Sequence, residues 1–311
     1  MTTPPTRRLP IPTPPTAWET VTSYLRRLAT VNHTTIRDIE TAIDASPDKN
    51  SYRQTRTLNL DKLSALTGHC AHQLRLALPE LRQPAPRWWL LQAFPRPACP
   101  PCVRRHRGGP VHRYYLHHIA ACVKHNIWLG TRAPAAATAW PVTDNAIDIQ
   151  HLPEIKSAQI HHRRLVRRHG QVALLIATRA AFDSWEYIHG RYLGHAQGPR
   201  LAVLRPARER HHAEDPAFHA ASYPEIVSAA SLFVQRRWQT RVAYQTTRAR
   251  AYAEFGNRLD WSEARDTWHP HHHSMLADWI EIYARPNPIR GDALVSRNIR
   301  FTGPHPEWTA Q

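Results

Sequence analysis

Two short stretches decide how this chain is read: Cys99-Pro100-Pro101-Cys102 and Cys122-Val123-Lys124-His125. In each, two residues separate a pair of soft or borderline donors, and nineteen residues separate the pairs. A two-residue spacer lets a tight turn aim both donors at one ion, and two such pairs complete the four tetrahedral ligands that Zn2+ prefers. With Cys99, Cys102, Cys122 and His125 all supplied by protein, no position is left for a reacting water. One structural Zn2+ is therefore expected, holding a fold rather than hydrolysing a substrate. A Cys99–Cys102 disulfide is the competing reading. Only four cysteines occur, too few for an oxidised scaffold, and a reducing cytoplasm opposes it. His106, His112, His117 and His118 also compete with His125, but none has the paired spacing. Leu116, Ile119 and Val123 recur at helical intervals, so the second pair is expected at a helix end.

Working outward, the expected fold class is mainly α: a helical N-terminal region with a helix-turn-helix-like unit, a zinc-knuckle module and a helical C-terminal region. Residues 1–15 are a Pro-rich arm, expected to be extended. Residues 16–130 form a first helical and metal-binding domain, 131–153 an Ala-, Pro- and Thr-rich linker, 154–284 a helical basic domain and 285–311 an irregular tail. Thr16 and Glu19 read as a capping box, followed by the apolar face Val21, Tyr24, Leu25 and Leu28. A helix near Thr34 or Thr35 buries Ile36, Ile39 and Ile43, and Ser46 to Gln54 is polar loop. Leu60, Leu63 and Leu66 share one helical face, Thr67-Gly68 ends that helix, and a second runs from about Cys70 to Leu78 before Pro79. This pair has the size of a helix-turn-helix, or of a plain packing unit. Further helices are expected at about 153–169 and 171–187. A long one starts at Ser222, with Glu225 completing a capping box, and runs to about Phe255. A short one lies near Ser274 to Ala284.

Lys and Arg total 41 against 24 Asp and Glu, a net charge of +17, and only four of the cations are Lys. A basic surface attracts phosphate polymers, and counterion release rewards the contact. Arg-rich usage alone could follow from a G+C-rich genome, but that bias does not make cations outnumber anions. Four groups stand out. Arg163, Arg164, Arg167 and Arg168 sit on one helix beside His161, His162 and His169. Arg104, Arg105 and Arg107 follow the first knuckle. Arg237, Arg241, Tyr244 and Arg248 trace a helical stripe, and Arg205, Arg208 and Arg210 lie in a loop. Each is either a solvated face or a phosphate contact; Arg suits phosphate because its planar fork donates two hydrogen bonds. Within the helix pair, Gln73 and Arg75 are the candidate probes of base edges. No apolar run is long enough for a membrane helix, and no secretory leader is apparent, so a cytoplasmic protein is expected.

Three features resemble the TniQ family of bacterial transposition proteins over about residues 8–130. Leu9-Pro10-Ile11 feeds Ser23-Tyr24-Leu25-Arg26-Arg27-Leu28-Ala29, similar to the family's opening S-W-L-x-R-L-A helix, with Tyr24 in place of the usual Trp. Cys99-Pro100-Pro101-Cys102 looks like its C-P-x-C knuckle. Arg113-Tyr114-Tyr115-Leu116, leading to Cys122, His125 and Leu129, is similar to its R-x-x-W … C-x-x-H … L segment. Arg104-Arg105-His106-Arg107 stands where the family often carries an acid. The resemblance implies a target-site selector that binds double-stranded DNA, or a guide-RNA effector complex on DNA, and recruits an AAA+ ATPase and transposase without cutting DNA itself. The chain has no G-x-x-x-x-G-K-[ST] loop, so ATP hydrolysis would be a partner's work. Two other readings stand beside this one. The first is an adaptor that never touches DNA. The second, more remote, is a metal-dependent nuclease built on Asp144 or Asp148 with Glu154 and Lys156, which would need adjacent strands to hold them.

Overall fold

The computed structural model describes residues 7–47, 56–92, 94–130, 147–190, 199–204, 216–243, 250, 253–255 and 257–258. These are mostly helical and fall into two compact units, one up to His117 and one from His118 onward. Outside the described residues lie the start of the arm (1–6), most of the 46–54 loop (48–54), and 131–146 of the linker with Asp144. So do Arg205, Arg208, Arg210, Tyr244 and Arg248, the His269 to His273 run, the helix near Ser274 and the tail from Arg285.

The first unit holds α1 (Val21–Val31), α2 (Ile36–Ala42), α3 (Leu60–Thr67) and α4 (Ala71–Ala77). A two-residue ladder, β1 (Ser46–Pro47) with β2 (Arg56–Thr57), flanks α2 and α3. Tyr24, Leu25, Leu28, Ile43, Leu63, Leu74 and Leu78 are fully buried where the helices meet. α2 begins where Thr35 and Asp38 cap each other, as the Thr34/Thr35 reading required. α3 ends at Gly68, whose φ of 72° suits the left-handed residue that closes a helix. Leu9 N–H donates to the Leu66 carbonyl, so the arm lies along α3.

α1 starts later than expected. Its N-cap is Thr20, whose side chain accepts from Ser23 N–H, and Thr16 to Glu19 forms a separate turn. The cause is an ion pair. Glu19 and Arg27 are both 0% exposed, and Arg27 Nη1 donates to the two carboxylate oxygens at 2.9 and 2.7 Å. The remaining donors and acceptors are also used. Arg27 Nε donates to the Arg107 carbonyl (3.0 Å) and Nη2 to the Pro14 carbonyl (3.3 Å). Ser23 Oγ and Thr16 N–H donate to Glu19, and Ser23 Oγ in turn accepts from His112 N–H. Glu80 caps the same end of α1: it accepts from Val21 N–H and from the Tyr114 hydroxyl, while burial pushes its carboxyl up to about 7.

In the second unit β5 (Ala121–Cys122), β6 (Ile127–Trp128) and β7 (Ile147–Asp148) make a small antiparallel sheet. α6 (Pro153–His169), α7 (Gln171–Gly190), α8 (Pro199–Leu204), α9 (Pro216–Phe233) and α10 (Arg236–Ala243) follow. α9 is buried on most of its circumference. Its small residues Ala217, Ala220, Ala229 and Ala230 admit close neighbours, and α6, α7, α8 and α10 all pack on it. The long helix expected from Ser222 to Phe255 is thus two helices with an earlier start. Ser222 lies inside α9 and bonds back to the Phe218 carbonyl, and Glu225 pairs with Arg200 instead of capping. The break after Phe233 turns α10 so that Trp238, 0% exposed, meets Phe233 at 5.3 Å and Phe255 closes the aromatic group. Gln239 Nε2 covers the freed Phe233 carbonyl.

Replacing one member of a buried ion pair leaves an uncompensated charge in a dry interior. Arg27→Met is expected to lower the unfolding free energy by about 3–5 kcal/mol, measured by denaturant titration. Glu19→Leu combined with Arg27→Met should recover part of that loss.

Candidate metal centre and basic surfaces

β3 (Arg96–Pro97) pairs with β4 (His112–Arg113), and the loop between them carries the first knuckle. Ala98 N–H bonds to the Val111 carbonyl and closes its base. α5 (Pro100–Val103) is a single turn, with Cys102 and Val103 N–H donating back to the Cys99 carbonyl. Proline suits its first two positions, since those N–H groups have no helical acceptor. Cys99 and Cys102 thereby stand one turn apart on the same side.

The second pair sits in a β-hairpin, not at a helix end. Ala121 pairs with Trp128 and Cys122 with Ile127, and Asn126, at φ 54°, supplies the left-handed residue that closes the turn. Gln159 of α6 holds this hairpin from behind: its Oε1 accepts from Ala120 and Ala121 N–H at 2.7 and 2.8 Å, and its Nε2 donates to the His118 carbonyl. The apolar spacing of Leu116, Ile119 and Val123 suggested a helix, but these backbone partners favour strand.

The Sγ atoms of Cys99, Cys102 and Cys122 and one ring nitrogen of His125 all lie within 4.8 Å of one another. Such a group could hold a metal ion. Ligands about 2.0–2.3 Å from a tetrahedral Zn2+ stand within that mutual distance, and three thiolates with one imidazole are a closed zinc set. Cys99 is buried, Cys122 and His125 are half-buried and Cys102 is exposed. The competing histidines stand elsewhere. His106 faces the Thr16 hydroxyl, and His118 stacks edge-on against His162 at 6.1 Å. Cys70 is the exposed N-cap of α4. Glu154 and Lys156 lie on helix α6 rather than on a strand beside Asp148, and among the described residues no carboxylate joins a metal-holding group.

The basic groups divide by exposure. Arg104, Arg105 and Arg107 are exposed beyond α5. Their loop is pinned where Arg27 holds the Arg107 carbonyl and at Gly108, where a Cβ would stand 2.4 Å from the Arg27 carbonyl oxygen. On α6, Arg164, Arg167 and Arg168 are exposed and Arg163 is half-buried. None of these arginines has a carboxylate partner among the described residues. Those in the last turn of α6 also oppose its dipole, a structural benefit independent of any ligand. Arg237 is exposed, while Arg241 pairs with Glu254. Gln73 and Arg75 are exposed on α4, but Gln73 Oε1 accepts from Cys70 N–H and is partly committed to capping.

His162 faces inward, away from the arginine face with which its position in sequence grouped it. Its Nδ1 lies 2.8 Å from the Tyr223 hydroxyl and its Nε2 3.1 Å from the Thr178 hydroxyl. Burial, with His118 and His161 nearby, pushes it down to about 3. Gln159 and His162 were legible as members of the buried stripe Ile155, Ala158, Gln159, His162 and Leu165. Glu19 and Arg27 carried no such signal.

Residues 10–129, a stretch containing α1 to α5 and all four candidate ligands, match the family model described as TniQ. This agrees with the resemblance read from the motifs. No curated protein and no solved structure matches the chain. Among the described residues no helix is long and apolar enough to cross a membrane.

Purified protein should contain about one zinc per chain by elemental analysis, and Cys102→Ser should lose it. Because His162 is neutral when folded and protonates when unfolded, it favours folding above its ordinary value of 6.5, and that contribution is lost as pH falls toward about 3. Its ring signal in NMR should stay flat where an ordinary imidazole titrates, around pH 6.5.

Proposed function

We propose that this chain is a non-catalytic adaptor of DNA transposition that binds double-stranded DNA and selects the target site. The TniQ match over residues 10–129 carries the reading, since it encloses the metal-ligand set and the loop that presents Arg104, Arg105 and Arg107. One Zn2+ on Cys99, Cys102, Cys122 and His125 would be structural, because the protein fills all four tetrahedral positions. The expected partners are duplex DNA, an AAA+ ATPase and a transposase, with a guide-RNA effector complex as a further possible assembly partner.

Two surfaces support DNA contact. Arg164, Arg167 and Arg168 project from α6 with no neighbouring carboxylate among the described residues, which leaves their charge available to phosphates. Arg104, Arg105 and Arg107 form a second such group. Contacts of this kind set affinity and register but carry no base sequence. Base reading, in this proposal, falls to α3 and α4, with Arg75 the freer probe because Gln73 caps its own helix.

Fluorescence anisotropy with labelled duplexes tests this. Affinity should fall steeply with salt, and replacing Arg164, Arg167 and Arg168 together with Gln should reduce the slope by about 0.9 per lost phosphate contact, equally for all sequences. No binding at low salt would leave the adaptor without direct DNA contact as the better reading. A loss confined to one sequence would contradict the phosphate role.

A further inference from the structure

α6 divides its surface cleanly. Ile155, Ala158, Gln159, His162 and Leu165 face the core, while Ser157, His161, Arg164 and Arg168 form an exposed stripe at steps of three and four residues. α9 packs against α6, and half-buried Ser228 accepts a hydrogen bond (3.1 Å) from Nη1 of Arg258, an exposed residue from a later part of the chain. His161 is held below its ordinary pKa by partial burial and then by the charges of Arg164 and Arg258, so these cations stand close to one imidazole.

Three cationic or potentially cationic groups gathered from two parts of the chain are electrostatically unfavourable unless something neutralises them. The acids nearest in sequence are engaged elsewhere: Glu225 pairs with Arg200 and Glu254 with Arg241. Neither Arg164 nor Arg258 has a carboxylate partner among the described residues. A solvated helix face would explain Arg164 and Arg168. It does not explain why a guanidinium from beyond α10 is anchored on the Ser228 hydroxyl beside them.

We infer that His161, Arg164 and Arg258 form one subsite that takes a single phosphodiester group of a nucleic-acid backbone. Two guanidinium forks and an imidazole N–H supply donors to the non-bridging oxygens, and Ser228 holds Arg258 in place. The inference rests on the nucleic-acid reading above for its ligand, but it adds a contact from a second element and requires the two arginines to act on the same phosphate.

The test uses the full chain and Gln variants at Arg164 and Arg258, alone and together. Each single change should weaken binding of a labelled duplex by about tenfold at low salt, with the salt slope reduced by about 0.9. The double variant should lose clearly less than the two losses combined, because both side chains serve one group. Arg258→Lys should restore part of the affinity. Full additivity, or an Arg258→Gln variant with unchanged affinity and slope, overturns the subsite while leaving DNA binding intact. If the losses occur with labelled single-stranded RNA and not with duplex, the subsite stands and RNA is its source of phosphate. A second readout does not depend on either polymer. Inorganic tripolyphosphate should shift the His161 ring signal in NMR and raise its pKa in the parent chain but not in Arg258→Gln. If no nucleic acid binds, that shift alone decides, and its absence sinks the proposal.

Discussion

The first unit depends on a pair of charges removed from water. Glu19 and Arg27 are each costly to bury alone, and their mutual attraction offsets that cost only if every remaining lone pair and proton finds a partner. That requirement organises the surroundings. Pro14 and Thr16 bring in the arm, Ser23 adds the first turn of α1, and the Arg107 carbonyl brings in the loop after the first knuckle. Ser23 then passes the connection to His112 in β4. The segment before α1 and the hairpin that carries Cys99 and Cys102 are thereby fixed by one side chain each. In a low-dielectric interior such a network is worth more than its separate bonds, and it tolerates no missing member.

The second unit uses the same logic with neutral groups. Gln159 satisfies two N–H groups and one carbonyl of the 118–121 segment, and His162 stands between the hydroxyls of Tyr223 and Thr178. Both sit on the inner face of α6 among aliphatic residues. The outer face of that helix carries arginines with no acid beside them among the described residues. One element therefore serves as scaffold on one side and as a charged surface on the other.

Much of this was legible in the sequence. α2, α3, α4, α6 and α7 follow from apolar periodicity and capping residues, because local propensity and burial agree there. The four candidate ligands were legible because a metal needs donors at fixed spacing, which leaves a mark independent of the surrounding fold. The misreadings arose where distant partners override local signals. The turn around His125 looked helical, but Trp128 and Ile147 pair across strands. Thr16 and Glu19 match a capping box, yet Arg27 claims the carboxylate and α1 begins four residues later. The apolar run past Phe233 continues the helical period, but Trp238 and Phe255 bury better if the chain bends. Arg27 itself, set between leucines, reads as an ordinary surface cation until Glu19 is seen beside it.

Gly108 has a consequence for how this loop can change. With φ at 95° and the Arg27 backbone pressed against it, the position is closed to any side chain. The exposed arginines just before it have no such constraint. Shape and charge in this loop are thus held by different residues. A lineage could retune the loop's attraction to an anionic partner, residue by residue, while the backbone that presents those side chains keeps its course.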